Sequence, residues 1–254
     1  MENYKELLSK HVEGIFKKYT QPGLHVCDLA TGGGKSYTIG KLTCEYYPKY
    51  FDRIVILCVQ NKLIDGMNRE IEKFIDKKDS LKSSDKMIIR SNEEVIKNAV
   101  ENGTLEDLLR DIEYNIGEQK KKGHNNNELQ HLYNKIKNSS KSTEYLFKMY
   151  NDSDRKNETV NNEIRKYEGQ LRYNIKIFFK AYKKHLQKTK QFKNVRVDYI
   201  LKNFPSLEKV YPQIRCQEKK VLLMTVHKAM RGIDPILAES MSLKDFVDNK
   251  HKAL

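Results

Sequence analysis

The stretch His25-Val26-Cys27-Asp28-Leu29-Ala30-Thr31-Gly32-Gly33-Gly34-Lys35-Ser36 decides the fold class. A short apolar run enters a glycine cluster, which ends in Lys-Ser and passes into a helical pattern carried by Tyr37, Ile39 and Leu42. Strand, glycine turn and helix in that order are the setting of a P-loop. Glycines let backbone N–H groups turn inward around phosphate oxygens. The start of the following helix aims its partial positive charge at the same anion. In that setting Lys35 reaches the β- and γ-phosphates and the Ser36 hydroxyl ligates Mg²⁺. The spacing departs from GxxxxGK[ST] at one place, where Leu29 stands for the first glycine. The tighter form Ala-Thr-Gly-x-Gly-Lys-Ser, residues 30–36, is complete. The expected cofactors are therefore ATP and Mg²⁺. They would be held by Ala30, Thr31, Gly32, Gly33, Gly34, Lys35 and Ser36, with Lys35 catalytic and Ser36 the metal ligand. A glycine-rich turn that binds nothing is the plainer alternative.

Outside this stretch the chain has strand-like and helix-like regions. Apolar runs of strand length occur at Leu24–Leu29, Arg53–Val59, Lys86–Arg90 and Val221–Val226. The second and fourth show no polar alternation, as expected of strands buried on both faces. Helical patterns separate them, over Tyr4–Tyr19 and over Lys62–Ile75, where Leu63, Met67, Ile71 and Phe74 share one face. Strands separated by helices predict an α/β fold with a mainly parallel sheet.

The middle of the chain reads differently. The prolines are Pro22, Pro48, Pro205, Pro212 and Pro235, so none interrupts the stretch between 48 and 205. Leu105, Leu108, Leu109, Ile112 and Ile116 form one helical stripe, and Leu129, Leu132 and Ile136 a second. Gly123-His124-Asn125-Asn126-Asn127 separates them as a loop, and Asn151-Asp152-Ser153-Asp154 marks another break. A third stripe, Ile164, Tyr167, Leu171, Ile175, Phe178, Tyr182 and Leu186, alternates spacings of three and four, which suits a helix packed on another helix. The predicted organisation is a P-loop α/β domain over 1–100 and 205–254, interrupted by an all-helical insertion over 101–204. A helix is expected from Asp234 onward.

Composition narrows the function classes. The 254 residues hold 48 Lys and Arg against 34 Asp and Glu, a net charge of +14. The longest apolar run, Ile54 to Val59, is far short of the roughly 20 residues of a membrane helix, and the N-terminus lacks the apolar core of a signal peptide. Cys27, Cys44, Cys58 and Cys216 show no CxxC spacing, which argues against a zinc site or a disulfide framework and for a reducing, cytoplasmic setting. The charge favours an anionic partner, with nucleic acid first; the expected partner is nucleic acid, DNA more than RNA, and no membrane, although a basic amphipathic helix also suits an anionic membrane surface. The charge is concentrated: residues 171–200 hold nine Lys or Arg and one acid, a net +8. Arg172, Lys176, Lys180, Lys183 and Lys184 lie opposite the apolar stripe and are candidate phosphate contacts. A solvated helix face is the alternative.

With these motifs the chain resembles the first motor domain of superfamily 2 helicases. The likeness is to the DEAD/DEAH-like group that includes type III restriction enzyme motor subunits. Ala30–Ser36 is similar to that family's motif I. Ile54–Leu63 is similar to motif Ia, a strand leading into a nucleic-acid contact. Val221–Ala229 is similar to the later strand whose terminal threonine touches the tracking strand. The resemblance implies a RecA-like domain that couples ATP binding and hydrolysis to nucleic-acid movement, with nucleic-acid contacts at Gln60, Asn61, Lys62, Thr225 and Lys228. These positions follow predicted strands, where open α/β sheets bind their ligands. For Gln60–Lys62 the alternative is a plain helix N-cap with a solvated lysine. His227 reads as structural.

The sequence also departs from the family. No apolar strand ends in Asp-Glu; Val195-Arg196-Val197-Asp198 is the nearest stretch, with an internal arginine and no following glutamate. No adenine-reading glutamine is matched, although Gln21 lies close by. The family pattern leads us to expect a motor truncated before the Asp-Glu motif, whose full-length chain carries a second RecA-like domain. The 254 residues alone are then expected to bind nucleotide with an incomplete catalytic set. Two other functions stay open. One is a P-loop phosphotransferase with the helical block as a lid. The other is a non-catalytic nucleic-acid-binding protein with a vestigial P-loop.

Overall fold

The computed structural model describes residues 6, 7, 10, 11, 13, 14, 35–50, 53–75, 81–150, 154, 157–189 and 192–247. The expected strand Leu24–Leu29, the loop Ala30–Gly34 and the break at 151–153 lie outside these residues. Of the expected helix Tyr4–Tyr19, the described residues are helical.

The elements run in the order α1 (Lys35–Tyr50), β1 (Ile54–Cys58), α2 (Asn61–Glu72), β2 (Lys86–Ile89), α3 (Asn92–Glu101), α4 (Thr104–Lys121), α5 (Asn127–Met149) and α6 (Glu158–Lys188). Then follow α7 (Val197–Asn203), α8 (Pro205–Val210), β3 (Val221–Thr225), α9 (Val226–Arg231) and α10 (Leu243–Val247). They form two compact units. Among the described residues, one holds the chain up to Arg90, Cys216–Ile233 and Met241 onward. The other holds Ser91–Arg215 and Asp234–Ser240.

The first unit is built on a parallel sheet of 3 strands in the order β1-β3-β2. The strand latest in sequence takes the centre, so Val221, Leu222, Leu223 and Met224 are all fully buried. The pleat sends alternate residues to opposite faces. Val221 and Leu223 join Cys44, Ile64, Met67 and Ile71 beneath α1 and α2. Leu222 and Met224 join Cys216, Ile233, Met241 and Phe246 on the other face. Two covered faces are the reason this strand shows no polar alternation. Arg53, just before β1, donates to the carbonyls of Phe246 (2.6 Å) and Gln217 (3.0 Å) and stacks 4.6 Å over the Phe246 ring.

The second unit is all helical. Its core takes Leu108 and Ile112 from α4, Leu132 and Ile136 from α5, and Leu171, Ile175 and Phe178 from α6. These are the stripes the sequence shows at helical spacing. An aromatic cluster closes it: Phe204 meets Phe179 and Tyr182 edge-on, each at 5.0 Å between ring centroids. Each such ring contributes roughly 1.5–3 kcal/mol on burial. Asn115 of α4 donates to the Asn203 carbonyl at 2.7 Å, and Asp111 accepts from the Ser206 N–H at 2.9 Å, so α4 also holds the α7–α8 corner.

The expectation of a helix from Asp234 onward is corrected. No helix forms over Gly232–Ser242. Gly232 has φ 78, Ile236 has φ 61, and Ile233 pairs with Met241 in an antiparallel bridge. A β-carbon on Gly232 would lie 2.8 Å from the Met241 carbonyl oxygen, so only glycine permits the bridge. A positive φ at a β-branched residue is costly. It is held here because Ile236 and Leu237 are buried in the helical core while the Ile236 N–H donates to Asp234 at 3.1 Å. A helix starts only at Leu243, after Ser242 and Asp245 exchange capping hydrogen bonds.

Candidate functional site

Lys35 is the first residue of α1, and no acidic residue lies in the first turn of that helix. Its positive end is therefore not neutralised by its own side chains. Ser36 and Tyr37 are exposed, while Thr38, Gly40 and Leu42 are buried. The buried side of α1 rests on α2. Gly40 makes the close approach, the Cys44 thiol donates to the Ile71 carbonyl at 3.6 Å, and Tyr37 meets Phe74 edge-on at 5.1 Å. This packing fixes the axis of α1 and leaves Ser36 exposed. The described part of the phosphate motif fits a nucleotide: an uncompensated helix start, an exposed hydroxyl of the kind that ligates Mg²⁺, and a lysine at the first helical position.

The carboxyl ends of β1 and β3 lie side by side, because the parallel register pairs Cys58 with Thr225. Gln60, Asn61 and Lys62 follow β1 and are exposed. Gln60 is the N-cap of α2, but its side chain makes no capping hydrogen bond. Its carbonyl instead accepts from Leu63 and Ile64 at 3.1 and 3.3 Å. The amide is therefore not used by the cap.

Thr225 ends β3 and caps α9, its hydroxyl accepting the Lys228 N–H at 3.1 Å. That role went unread in the sequence, although a threonine directly before a helical pattern is a preferred N-cap residue. Lys228 is 7% exposed, so it does not project from the edge as Lys62 does. His227 is exposed. The motif residues thus gather at one edge of the sheet, with Val59 (77% exposed), Leu63 and Val226 as apolar neighbours.

The basic helix α6 is divided by its surroundings. Arg172 donates to Glu168 at 2.9 Å and to Asp234, Lys176 donates to Asp234 at 2.8 Å, and Lys183 donates to the Leu237 carbonyl at 3.1 Å. Two cations meet two largely buried carboxylates, so this cluster is electrically neutral. Burial opposes charge on Arg172, but Glu168 and Asp234 outweigh it and raise its pKa. Burial pulls the Lys183 ammonium below its usual value. These three of the five expected phosphate contacts are engaged inside the protein; Lys180 and Lys184 are exposed. The sequence carried one signal of this, since Glu168 sits one helical turn before Arg172. It carried none for Asp234, which lies 62 residues from Arg172.

Among the described residues no helix is long and apolar enough to cross a membrane. No curated protein matches the chain. Residues 1–251 match the family model described as type III restriction enzyme, res subunit.

Proposed function

The chain belongs to the type III restriction enzyme res-subunit family, a family of helicase-like motor domains, and from that premise we propose that it binds ATP–Mg²⁺ and moves along nucleic acid, DNA ahead of RNA. The observation that carries the reading is the P-loop sequence leading into α1 at Lys35, with no acid in the first helical turn. Backbone amides of Ala30–Gly34 and the Lys35 ammonium would hold the phosphates, and Ser36 would ligate the metal. The bound metal supplies charge neutralisation at the γ-phosphate. Gln60, Asn61, Lys62 and Thr225 stand at the carboxyl edge as candidate contacts to successive phosphates, which amide, hydroxyl and ammonium groups bind without reading sequence. Lys228 would act from behind that edge, being buried.

Within these residues no apolar strand ends in Asp-Glu. Turnover by this chain is accordingly expected to be slow relative to binding, and a second RecA-like domain is the expected partner for full hydrolysis. The phosphotransferase alternative needs an acidic base and lid arginines near the loop, and the helical block is rich in lysine instead.

Titration of the chain with a fluorescent ATP analogue and Mg²⁺ tests the reading. Saturable binding that Lys35→Ala weakens at least about tenfold is expected, since a charge-assisted phosphate contact is worth about 1.5–3 kcal/mol. Binding of oligonucleotide with no measurable nucleotide affinity would leave the non-catalytic alternative in its place.

A further inference from the structure

The exposed face of α6 carries an arrangement that the motor reading does not use. On a helix advancing about 100° per residue, Arg172, Lys176 and Lys183 fall within about 40° of one another, and this face is committed to Asp234 and Leu237. About a quarter turn away, Lys166, Tyr173, Lys180 and Lys184 fall within a second arc of about 40°. All four are exposed, Tyr173 to 59%. Lys166 and Lys180 flank the tyrosine at two turns on either side. From Lys166 to Lys184 the stripe spans about 27 Å at 1.5 Å per residue. Lys188 is exposed one turn further on. Lys135 of α5, whose carbonyl accepts from Asn174 at 3.4 Å, is exposed beside it.

Acids do not offset the stripe. Between Lys166 and Lys188 the one acid is Glu168, which is 3% exposed and bonded to Arg172. Glu163 lies one turn before Lys166, and the charge of Glu128 acts on His185 near the far end. Among the described residues Lys166, Lys180 and Lys184 take part in no ion pair. A membrane surface would require an apolar face beside the basic one, but the apolar face of α6 is buried in the helical core.

We infer that this face of α6 binds single-stranded nucleic acid, with the lysines tracking backbone phosphates and Tyr173 providing a ring on which a base stacks. Duplex would use the lysines but offers no unstacked base to the tyrosine. The partner class rests on the proposed motor function, while the surface itself does not need a nucleotide site.

The test is fluorescence anisotropy of the full chain, without ATP, on a labelled single strand of about 20 nucleotides and on its duplex, a length exceeding one binding site. The triple variant Lys166→Gln/Lys180→Gln/Lys184→Gln is expected to bind the single strand at least about tenfold more weakly, with a salt slope reduced by about 2. Tyr173→Ala is expected to lose about fivefold on the single strand and little on the duplex. A charge-matched control, Lys120→Gln/Lys122→Gln/Lys209→Gln, alters exposed lysines elsewhere in the same unit and is expected to stay within about twofold. Thermal melts of the variants verify that each is folded. The assignment is overturned if the triple variant binds as the parent does, if the control loses as much, if Tyr173→Ala is neutral, or if polyglutamate competes as well as the oligonucleotide. Loss of ATP binding with the stripe intact would count against the motor and leave this surface standing.

Discussion

Gly40 of α1 lies against the backbone of Glu70 in α2, so closely that a β-carbon on Gly40 would sit 3.0 Å from the Glu70 carbonyl carbon and 3.1 Å from the Ile71 nitrogen. The obstacle is backbone, which no side-chain rotation relieves. Gly40→Ala therefore forces α1 and α2 apart. We expect a loss of about 1–3 kcal/mol in urea unfolding, the usual range for overpacking a tight contact. Nucleotide affinity should fall with it, because the same helix begins at Lys35. An alanine variant with parental stability would show that the contact is looser than described.

Thr225 separates a capping role from a binding role. Its hydroxyl accepts the Lys228 N–H at 3.1 Å. Thr225→Ala should cost about 1 kcal/mol through the lost cap, and Thr225→Ser should restore it. If the hydroxyl also meets a phosphate, oligonucleotide affinity follows the same pattern, down in alanine and recovered in serine. Unfolding and anisotropy measured on both variants read the two roles independently.

Asp234 predicts a pH dependence. Burial pushes its carboxyl upward, but the hydrogen bond and charge of Lys176, the Ile236 N–H and the charge of Arg172 outweigh burial and hold it below its ordinary 3.8. The unfolded chain therefore takes up this proton first as pH falls. The stabilisation is fully present above about pH 4–5, where the unfolded carboxyl is ionised, and is lost as pH drops through the lower folded value. Asp234→Asn leaves Lys176 without its carboxylate and should cost about 2–3 kcal/mol at pH 7, less than for a sealed pair because Arg172 and Lys176 are partly exposed. The gap between parent and variant should narrow below pH 4. A gap that does not change with pH would overturn the ionic origin.

Cys216 is fully buried, and burial pushes its thiol up to about 12. The thiolate is the reactive form, so at pH 8 Cys216 should resist iodoacetamide in the folded protein and react once the chain is unfolded. Mass spectrometry of the alkylated peptides checks this. Rapid labelling of Cys216 in the native protein would mean that the sheet face it shares with Leu222 and Met224 opens readily.

Much of the architecture was legible in the sequence because its signals are local. β1, β2 and β3 coincide to within a residue or two with apolar runs bounded by polar residues, and α4, α5 and α6 follow the three stripes at helical spacing. The helix α3 was legible too and went unread: Ser91, whose hydroxyl accepts the Glu94 N–H at 3.2 Å, opens it with Glu93 and Glu94 in the first turn. The helix expected after Asp234 failed for a non-local reason. A carboxylate that two side chains of α6 hold in place, beside a buried Ile236, outweighs helical propensity over a few residues.

The same division runs through the site. The parallel α/β class was legible in the sequence alone, and the phosphate-binding role proposed for Lys35 and Ser36 rests on a contiguous motif, Ala30–Ser36. Which strand takes the middle of the sheet was decided by pairing across 167 residues, as in Cys58 with Thr225, and across 135 residues, as in Lys86 with Val221, and no local pattern encodes such a register. The fate of each lysine on α6 was likewise decided in three dimensions. Sequence spacing showed a basic helix, but charge alone does not distinguish a cation that finds a buried carboxylate from one that stays in water. Folding brought Asp234 to Arg172 and Lys176 and left Lys166, Lys180 and Lys184 exposed, because an ion pair depends on distance in space rather than along the chain.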